Sequence, residues 1–376
     1  MRPVGAVRHL YVHVPFCAHR CGYCDFVTLV GRREEHAGYV DALLRELELE
    51  RGLLDEPVET IFLGGGTPTF LAPDELARLL AALPAAEEVT VEANPETVTP
   101  GLAALLREGG VTRVSLGAQS FQQHLLAVLE RRARPEDVRR AFYHLRDANF
   151  DNISLDLIYG IPGQSASDLN RDLAETLALA PDHVSCYELE AKPGTRFTHV
   201  HGAELARQAD AMEGYFEQVV DTLVTAGYRW YETSNFCRGG RVARHNRAYW
   251  VGRDYLGLGI GAVSTVGTER WRNTPKLGAY VRALAVRTRP PRELEPLDSW
   301  TRGRERLMLG LRLDEPVPLA EVVDVVDAAA LARLERLGLA ERARDGIALT
   351  PRGRFLGGGV TAELMAENPA KTTIVS

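Results

Sequence analysis

Three cysteines near the start of the chain have the spacing to hold one iron–sulfur cluster. Cys17, Cys21 and Cys24 form a C-x3-C-x2-C pattern directly after a short apolar run. Cysteine thiolates are the usual ligands of such clusters, and a cubane is normally held by four of them. Three ligands leave one iron with an open coordination site, so the pattern indicates a cluster that binds a further molecule.

Two other roles for these cysteines fit the pattern less well. A structural zinc site usually closes with four ligands from two separated pairs, whereas this chain has one group of three cysteines. His13, His19 or His36 stays open as a fourth zinc ligand. A disulfide framework is disfavoured because the chain has five cysteines, an odd number, and no secretory signal.

Composition places the chain among ordinary globular proteins. Its 376 residues, 45% hydrophobic and 25% charged, suffice for one large α/β domain and a small companion. A net charge of −7 disfavours a general binder of nucleic acid. No run approaches the roughly 20 apolar residues of a membrane span. We expect a cytoplasmic protein with no membrane span and no nucleic-acid partner.

Hydrophobic patterns predict strands that alternate with amphipathic helices. The six predicted strands cover residues 10–14, 58–63, 89–93, 111–118, 153–159 and 183–189. Their apolar, β-branched character suits strands that are buried on both faces of a parallel sheet. The regular alternation predicts an α/β fold and fits a partial barrel. Active sites of parallel barrels lie at the carboxyl ends of the strands.

The remainder of the chain has a different organisation. Pro290-Pro291 indicates a linker, and the predicted units are a barrel over 1–230, an extension over 231–290 and a C-terminal domain over 291–376. Helices at 304–313 and 328–337 precede a hairpin whose turn is predicted at Asp345-Gly346. Helices followed by a hairpin resemble a small winged-helix domain.

A glycine loop follows the second predicted strand. Gly64-Gly65-Gly66-Thr67 allows the backbone to approach a polar ligand closely. No lysine follows at the place that a phosphate-binding P-loop requires. Taken alone, such a loop is more often a tight turn than a ligand site.

Polar side chains occur in three of the predicted strands or at their ends. Glu92 ends the third strand, Gln119 follows the fourth, and Asp156 lies in the fifth. Burying a polar group without a partner is costly, so each is either satisfied by neighbouring backbone or directed at a ligand. Three such residues at one barrel mouth indicate a ligand with several hydroxyl and amine groups.

The cysteine pattern resembles the signature of the radical-SAM superfamily, because the aromatic Tyr23 stands directly before the last cysteine. The resemblance implies an open (β/α)6 barrel, a [4Fe–4S] cluster on the three cysteines, and S-adenosylmethionine chelating the free iron. It also implies the residues that bind S-adenosylmethionine: Tyr11, Tyr23, Gly66, Thr67, Glu92, Gln119, Arg131 and Asp156, with Glu188 and Val263 as weaker candidates.

Longer motifs resemble one group of that superfamily, the oxygen-independent coproporphyrinogen oxidases and their relatives. They are Tyr-Val-His-Val-Pro-Phe-Cys at 11–17, Gly-Gly-Gly-Thr-Pro-Thr at 64–69, Gly-Ala-Gln-Ser-Phe at 117–121 and Asp-Leu-Ile-Tyr-Gly-Ile-Pro-Gly-Gln at 156–164. Phe26 stands where the decarboxylating oxidase has a further cysteine. Together with His-Asn-Arg-Ala-Tyr-Trp at 245–250, it indicates the haem-chaperone branch.

The resemblance implies a haem chaperone that passes haem to an acceptor protein. We predict that His245 binds the iron, with Tyr249 and Trp250 as flat apolar surface beside the porphyrin. The alternative is a packed aromatic loop around a hydrogen-bonded histidine. Nearby arginines, namely Arg241, Arg244 and Arg247, are candidates for pairing with propionates.

Several alternatives stay open at this stage. One is an oxygen-independent coproporphyrinogen III oxidase, which decarboxylates its substrate through a radical. Another is a radical methyltransferase that consumes haem. A homodimer also stays open, as does whether S-adenosylmethionine is cleaved.

Overall fold

The main sheet of the computed structural model has nine strands. The structure describes residues 7–192 and 196–367. The strands are β1 (His9–Val14), β2 (Val58–Gly65), β3 (Ala86–Ala93), β4 (Arg113–Gln119), β5 (Ile153–Tyr159), β6 (His183–Glu188), β7 (Arg229–Glu232), β8 (Asn235–Cys237) and β9 (Leu256–Leu258).

The strand order is β9-β1-β2-β3-β4-β5-β6-β8-β7. The seven strands from β9 to β6 are parallel, and β8 and β7 continue the sheet antiparallel. Helices connect consecutive parallel strands, because parallel pairing requires a crossover connection. The predicted parallel α/β fold is confirmed, and all six predicted strands are present.

The helices of the main domain are α1 (His36–Glu50), α2 (Pro73–Ala82), α3 (Pro100–Glu108), α4 (Gln123–Val128), α5 (Pro135–Asp147), α6 (Ala166–Leu179), α7 (Arg196–Gln208), α8 (Met212–Thr225), α9 (Arg244–Trp250) and α10 (Leu277–Ala285). None of the helices in the described ranges is long and apolar enough to cross a membrane.

Alternation along the strands separates an apolar outer layer from a polar interior. In β1, Leu10, Val12 and Val14 are fully buried and belong to the main hydrophobic core beneath the helices. His9 and Tyr11 alternate with them and point to the other face, where His9 contacts Thr60 and Tyr11 contacts Phe62, both of β2. Because successive side chains of a strand point to opposite faces, the sheet presents a polar surface to the inside of the barrel.

A β-extension follows the main sheet. It consists of β10 (Val263–Val266), β11 (Glu269–Asn273) and β12 (Arg292–Pro296), which pair antiparallel. Residues 231–290 also supply β8 and β9 to the main sheet, on its opposite sides. The boundaries proposed for the three units stay a prediction.

The C-terminal part has its own hydrophobic core, which includes Leu307, Leu334 and Ile347. Its helices are α11 (Ser299–Gly310), α12 (Leu319–Val322), α13 (Ala328–Arg336), α14 (Pro351–Phe355) and α15 (Gly357–Leu364), and its strands are β13 (Val317–Pro318), β14 (Ala340–Ala343) and β15 (Gly346–Leu349). The three strands form one antiparallel sheet. Helices followed by a hairpin agree with the winged-helix-like prediction, and two further short helices, α14 and α15, follow the hairpin.

The hairpin turn lies one residue earlier than predicted. Ala343 pairs with Gly346, so Arg344 and Asp345 form the turn, and Arg344 adopts a φ of 55°. Gly346 is instead required within β15, because a Cβ at this position would lie 2.6 Å from the carbonyl oxygen of Val317. The close approach of β13 therefore explains the glycine, and the turn does not.

Candidate functional site

The cysteine loop begins where β1 ends. Phe16–Cys17 forms a short strand with Leu29–Val30, and the loop between them carries Cys21 and Cys24. The backbone N–H of Gly22 donates to the carbonyl of Leu129 at 3.3 Å. These contacts fix the loop at the carboxyl ends of the strands, at the mouth of the barrel.

A chain of hydrogen bonds joins the sulfur of Cys21 to the sulfur of Cys17. The Arg131 guanidinium donates to Cys21 Sγ at 3.6 Å and to Asn94 Oδ1 at 3.0 Å. Asn94 Nδ2 donates to Thr67 Oγ1 at 3.0 Å, and this hydroxyl donates to Cys17 Sγ at 3.5 Å. Asn94 was not among the predicted site residues, although it directly follows β3 at the edge where Glu92 was noted.

The donors around the cysteines fit a cluster bound through thiolates. Hydrogen bonds to ligand sulfurs are a regular feature of iron–sulfur sites, and two of the three sulfurs accept one here. Burial raises the pKa of the Cys17 thiol to about 11, against the lowering effect of the Thr67 hydroxyl. Iron must therefore displace a proton from this sulfur. The Nε of Arg131 is buried without a partner among the described residues.

The three histidines left open as zinc ligands have other contacts. His13 Nε2 donates to the carbonyl of Val27 at 2.8 Å, and His19 Nε2 donates to that of Glu130 at 3.0 Å. His36 Nδ1 accepts the backbone N–H of Ala72 at 3.2 Å. In residues 7–192 and 196–367, no group of three His, Cys, Asp or Glu side chains is arranged to hold a metal ion, and this includes the three cysteines of the loop.

The glycine loop packs directly beneath the cysteine loop. The backbone N–H of Gly66 donates to the carbonyl of Val14, and that of Thr67 donates to the carbonyl of Phe16, both at 2.8 Å. A Cβ on Gly66 would stand 2.6 Å from the backbone of Pro15. The loop thus requires glycine to hold the strand that leads to Cys17. The backbone N–H groups of the loop are already used as donors. A ligand amine can still bind there, because an amine needs acceptors and not donors.

Two carboxylates, Glu92 and Asp156, lie inside the barrel. Glu92 Oε2 accepts the backbone N–H of Gly65 at 3.1 Å. Asp156 accepts from Ser115 at 2.8 Å and from Ser154 at 3.0 Å. Burial, and next the charge of Asp156, raise the pKa of Glu92 to about 7. Glu92 therefore offers an acceptor whose charge depends on pH in the neutral range, and burial also raises the pKa of Asp156.

Tyr23 and Gln119 lie around Arg131. Burial raises the pKa of Tyr23, whereas the positive charge of Arg131 opposes the rise. Gln119 follows a shift of register in β4 and has a φ of 66°, which is uncommon for a residue with a side chain. The shift changes the direction of the backbone at the end of β4. At this point Arg131 donates to the carbonyl of Gly117 at 2.8 Å. The structure thus brings these predicted residues close to Cys21.

The remaining candidates for S-adenosylmethionine binding fall into two cavities. Tyr11 and Val263 line a cavity of about 250 Å³ together with Tyr249. The Tyr11 hydroxyl donates to His13 Nδ1 at 2.9 Å. Glu188 lines a different cavity of about 910 Å³ between β6 and the C-terminal helices. Glu188 and Val263 are therefore not brought together.

His245 lies inside the molecule, with an exposed fraction of 1%. Its Nδ1 is 2.7 Å from the Thr60 hydroxyl and its Nε2 is 2.9 Å from the Tyr249 hydroxyl. Burial lowers the pKa of His245 to about 3. The backbone N–H groups of Arg244 and His245 donate to the Glu88 carboxylate. This placement matches the packed aromatic loop that the sequence left as an alternative, and neither ring nitrogen is free for iron.

The three arginines near His245 form ion pairs. Arg241 pairs with Asp151 at 2.7 Å, and Arg244 pairs with Glu87 at 2.8 Å. Arg247 pairs with Glu315. Any role for them in binding propionates requires these surface pairs to exchange, which is inexpensive because exposed pairs contribute only about 0–1 kcal/mol.

We predict that Asn94→Ala weakens retention of an iron–sulfur cluster. The change leaves Arg131 and Thr67 without their shared partner, at a cost of about 1–3 kcal/mol. Loss of iron to a chelator after anaerobic reconstitution, followed by the decay of the visible absorption of the cluster, measures the effect. The control is Asn170→Ala on the exposed side of α6. Equal rates of iron loss in both variants would contradict the prediction.

A second prediction concerns Glu92 and pH. A folded-state pKa raised to about 7 stabilises the fold below the unfolded pKa near 4.5, and this contribution is lost as pH rises through 7. Glu92→Gln should abolish that loss and should raise the free energy of unfolding above that of wild type at pH 8. The gain should be only on the order of 1 kcal/mol, because water screens a partly exposed carboxyl. Thermal unfolding from pH 5 to 8 tests this without S-adenosylmethionine, with Glu108→Gln as control. The prediction would be refuted if the Tm of the Glu92→Gln variant fell with rising pH as much as the Tm of wild type.

Comparison with known proteins agrees with this geometry. The Radical SAM superfamily model matches residues 11–175, and the HemN C-terminal domain model matches residues 297–356. The chain is 38% identical to the heme chaperone HemW of Mycobacterium tuberculosis over 371 residues, covering 95% of this chain and 94% of that protein. It is 31% identical to the heme chaperone HemW of Bacillus subtilis, covering 96% of this chain and all of that protein.

A solved structure has the same fold. Coproporphyrinogen III oxidase (HemN) from Escherichia coli, described as a radical SAM enzyme, superposes with a TM-score of 0.80 at 23% identity. The superposition covers 96% of this chain and 91% of that chain. It confirms the partial barrel and the arrangement of the C-terminal region.

Proposed function

This chain belongs to the heme chaperone HemW family of radical SAM proteins, and on that premise we propose that it binds haem and transfers it to an acceptor protein. The observation that carries the proposal is the similarity to proteins of that name along 95% of the chain, including both the barrel and the C-terminal part. Phe26, where the decarboxylating oxidase has a cysteine, is 63% exposed beside the cysteine loop.

We propose that Cys17, Cys21 and Cys24 hold a [4Fe–4S] cluster and that S-adenosylmethionine binds above it. When bound, this pair supplies one-electron reductive chemistry at the sulfonium. The protein residues position it: Arg131 and Thr67 donate to ligand sulfurs.

We propose that the other predicted residues contact the same S-adenosylmethionine molecule. The acceptors Glu92 and Asp156 suit amine and hydroxyl groups, and Tyr11, Tyr23, Gly66 and Gln119 complete the proposed set. The geometry supports a bound cofactor equally in a carrier and in an enzyme. A carrier differs from an enzyme because its haem leaves chemically unchanged. In a carrier, the cofactor site would govern whether haem is retained or released.

We place the protein in the cytoplasm, because three cysteine thiolates without a disulfide persist in a reducing compartment. The acceptor protein is defined by its need for haem, and the fold does not identify it further.

The proposal predicts haem transfer without porphyrin chemistry. Protein reconstituted anaerobically should bind haem and release it intact to apomyoglobin, which serves as a generic acceptor and is followed by its own Soret band. With reductant, S-adenosylmethionine and coproporphyrinogen III, no protoporphyrinogen should form. Steady formation of that product would establish the oxidase instead, and methylated haem in the product would establish a methyltransferase.

A matched variant tests the part played by the cluster. Changing Cys17, Cys21 and Cys24 together to alanine should remove iron and sulfide, whereas Cys186→Ala, which changes a buried cysteine outside the loop, should keep both. A triple variant that retained an iron–sulfur chromophore would remove the three cysteines from the proposal.

A further inference from the structure

The residues that follow α4 contact the cysteine loop at three consecutive positions. The carbonyl of Leu129 accepts the backbone N–H of Gly22 at 3.3 Å. The carbonyl of Glu130 accepts a hydrogen bond from His19 Nε2 at 3.0 Å. Arg131 comes next and donates to one of the cysteine sulfurs at 3.6 Å. These contacts fix the middle of the loop from one side, and Glu130 stands at their centre.

Glu130 has a backbone conformation that glycine usually adopts at helix ends. Its φ is 56°, in the left-handed region, and its N–H donates to the carbonyl of Ala127 at 3.1 Å where α4 ends. Glycine is the common residue at such a position, because a Cβ is disfavoured there. A residue that holds this conformation despite its side chain indicates a contact made by that side chain.

The Glu130 side chain joins α7 to the cysteine loop. Its carboxylate forms an ion pair with Arg196, the first residue of α7. A Cβ placed on Gly22 would lie 3.1 Å from Glu130 Cδ and 3.2 Å from a ring carbon of Phe197. Gly22 therefore faces both side chains, and the absence of a side chain of its own lets the loop approach α7 closely.

Apolar contacts add to this junction. Phe197 is 3% exposed and belongs to a hydrophobic cluster that is separate from the main core. Tyr23, which directly precedes the last ligand cysteine, packs against this cluster. The other members come from α4, β5 and the segments beside β6, and they are Leu125, Leu129, Ile158, Ile161 and Leu189. α7 therefore reaches the cysteine loop through a buried aromatic side chain, which is a large contribution to packing.

The other end of α7 is also fixed. Gln208 ends the helix, and its side-chain oxygen accepts the backbone N–H of Gly163 at 3.1 Å. Its side-chain nitrogen donates to the carbonyls of Ile161 at 3.2 Å and Gln164 at 3.0 Å. These three residues belong to the second half of the motif at 156–164, to which the proposed cofactor contacts give no role. α7 has 13 residues and a length of about 20 Å, so it connects the loop after β5 to the cysteine loop.

We propose that α7 is a clamp on the cysteine loop, and that Phe197 and Glu130 are positioning residues for the iron–sulfur cluster. The inference rests on the proposed function only in that a cluster occupies the three cysteines. Phe197 packs against Tyr23 and Glu130 lies against Gly22, and each of these loop residues adjoins a ligand cysteine in the sequence. Because Phe197 is buried between α7 and the loop, it also keeps water away from this side of the cluster.

A clamp differs from an ordinary core contact in what its loss affects. Loss of core packing lowers the stability of the whole fold, and the cluster is then lost only when the protein unfolds. Loss of the clamp frees the loop in a folded protein, so iron leaves faster and water approaches the cluster. Solvent exposure is one of the factors that set the reduction potential of a cluster. The potential therefore reports on the clamp separately from stability.

Two phenylalanine variants make this distinction in the full chain, reconstituted anaerobically with iron and sulfide and studied well below the Tm of both. Phe197→Ala should speed the loss of iron to a chelator about tenfold, the lower end of what changes around a metal site cost. It should also raise the midpoint potential, because water stabilises the more negative reduced cluster. Phe142→Ala, at a buried position of α5 in the main core, should lower the Tm and leave both cluster properties unchanged. Phe197→Leu, which keeps an apolar side chain, should restore most of the iron retention. Equal iron loss and equal potentials in Phe197→Ala and Phe142→Ala would overturn the inference.

Surface variants test the clamp without disturbing a buried ring. Glu130→Gly relieves the left-handed backbone, so the Tm of the protein without its cluster should be equal or higher. Iron loss should nevertheless be about threefold faster, in keeping with the loss of one exposed ion pair. Arg196→Ala should also speed iron loss, whereas Arg207→Ala, which removes an ion pair with Glu204 within α7, should not. Iron retention equal to that of wild type in both Glu130→Gly and Arg196→Ala would overturn the inference. Wild-type protein that holds neither iron nor sulfide after reconstitution would instead overturn the proposed cluster.

Discussion

The hydrogen-bonded chain from Cys21 through Arg131, Asn94 and Thr67 to Cys17 is the constraint on which the site depends. It ties the cysteine loop to residues that follow β2, β3 and β4. The loop itself is short. Its shape is therefore fixed by donors that lie outside it, and the same donors face the sulfurs that a cluster needs. Positioning and chemistry are achieved by one set of contacts.

A polar barrel interior is costly, and this one is stabilised by pairing its groups across strands. Arg113 is 1% exposed, and its guanidinium is 3.2 Å from Nδ1 of His183. The other ring nitrogen of His183, Nε2, is 2.8 Å from the Tyr231 hydroxyl. Outside the barrel, Glu46 of α1 is likewise satisfied, because it accepts from Asn273 of the β-extension and from Tyr280 of α10. Because buried polar groups without partners are destabilising, these contacts restrict the sheet to one register. The interior thus specifies the fold, and Glu92 and Asp156 are part of the same set of paired groups.

The parallel sheet creates two chemically distinct ends. The carboxyl ends carry the cysteines, and the amino ends carry arginines and His9. α9 lies between them, held by Glu88 at its first backbone N–H groups and by Thr60 at His245. Its Tyr249 also lines the small cavity with Tyr11. The motif at 245–250 therefore contacts both ends of the barrel, which explains its composition without a surface-exposed ligand.

The sequence by itself determined the parallel α/β class, the six strands and the three cysteines, because these signals are local. Strands are read from continuous apolar runs, and cluster ligands that share one loop are read from their spacing. It placed the hairpin turn one residue late, because the strand contact that requires Gly346 is with Val317, far from the turn. Only the tertiary structure decided the partners of buried polar groups. Asn94 bridges residues 27 and 37 positions away. Thr60 contacts His9, 51 positions before it, and His245, 185 positions after it. Whether a histidine has a free nitrogen depends on such distant neighbours, and no local pattern encodes them.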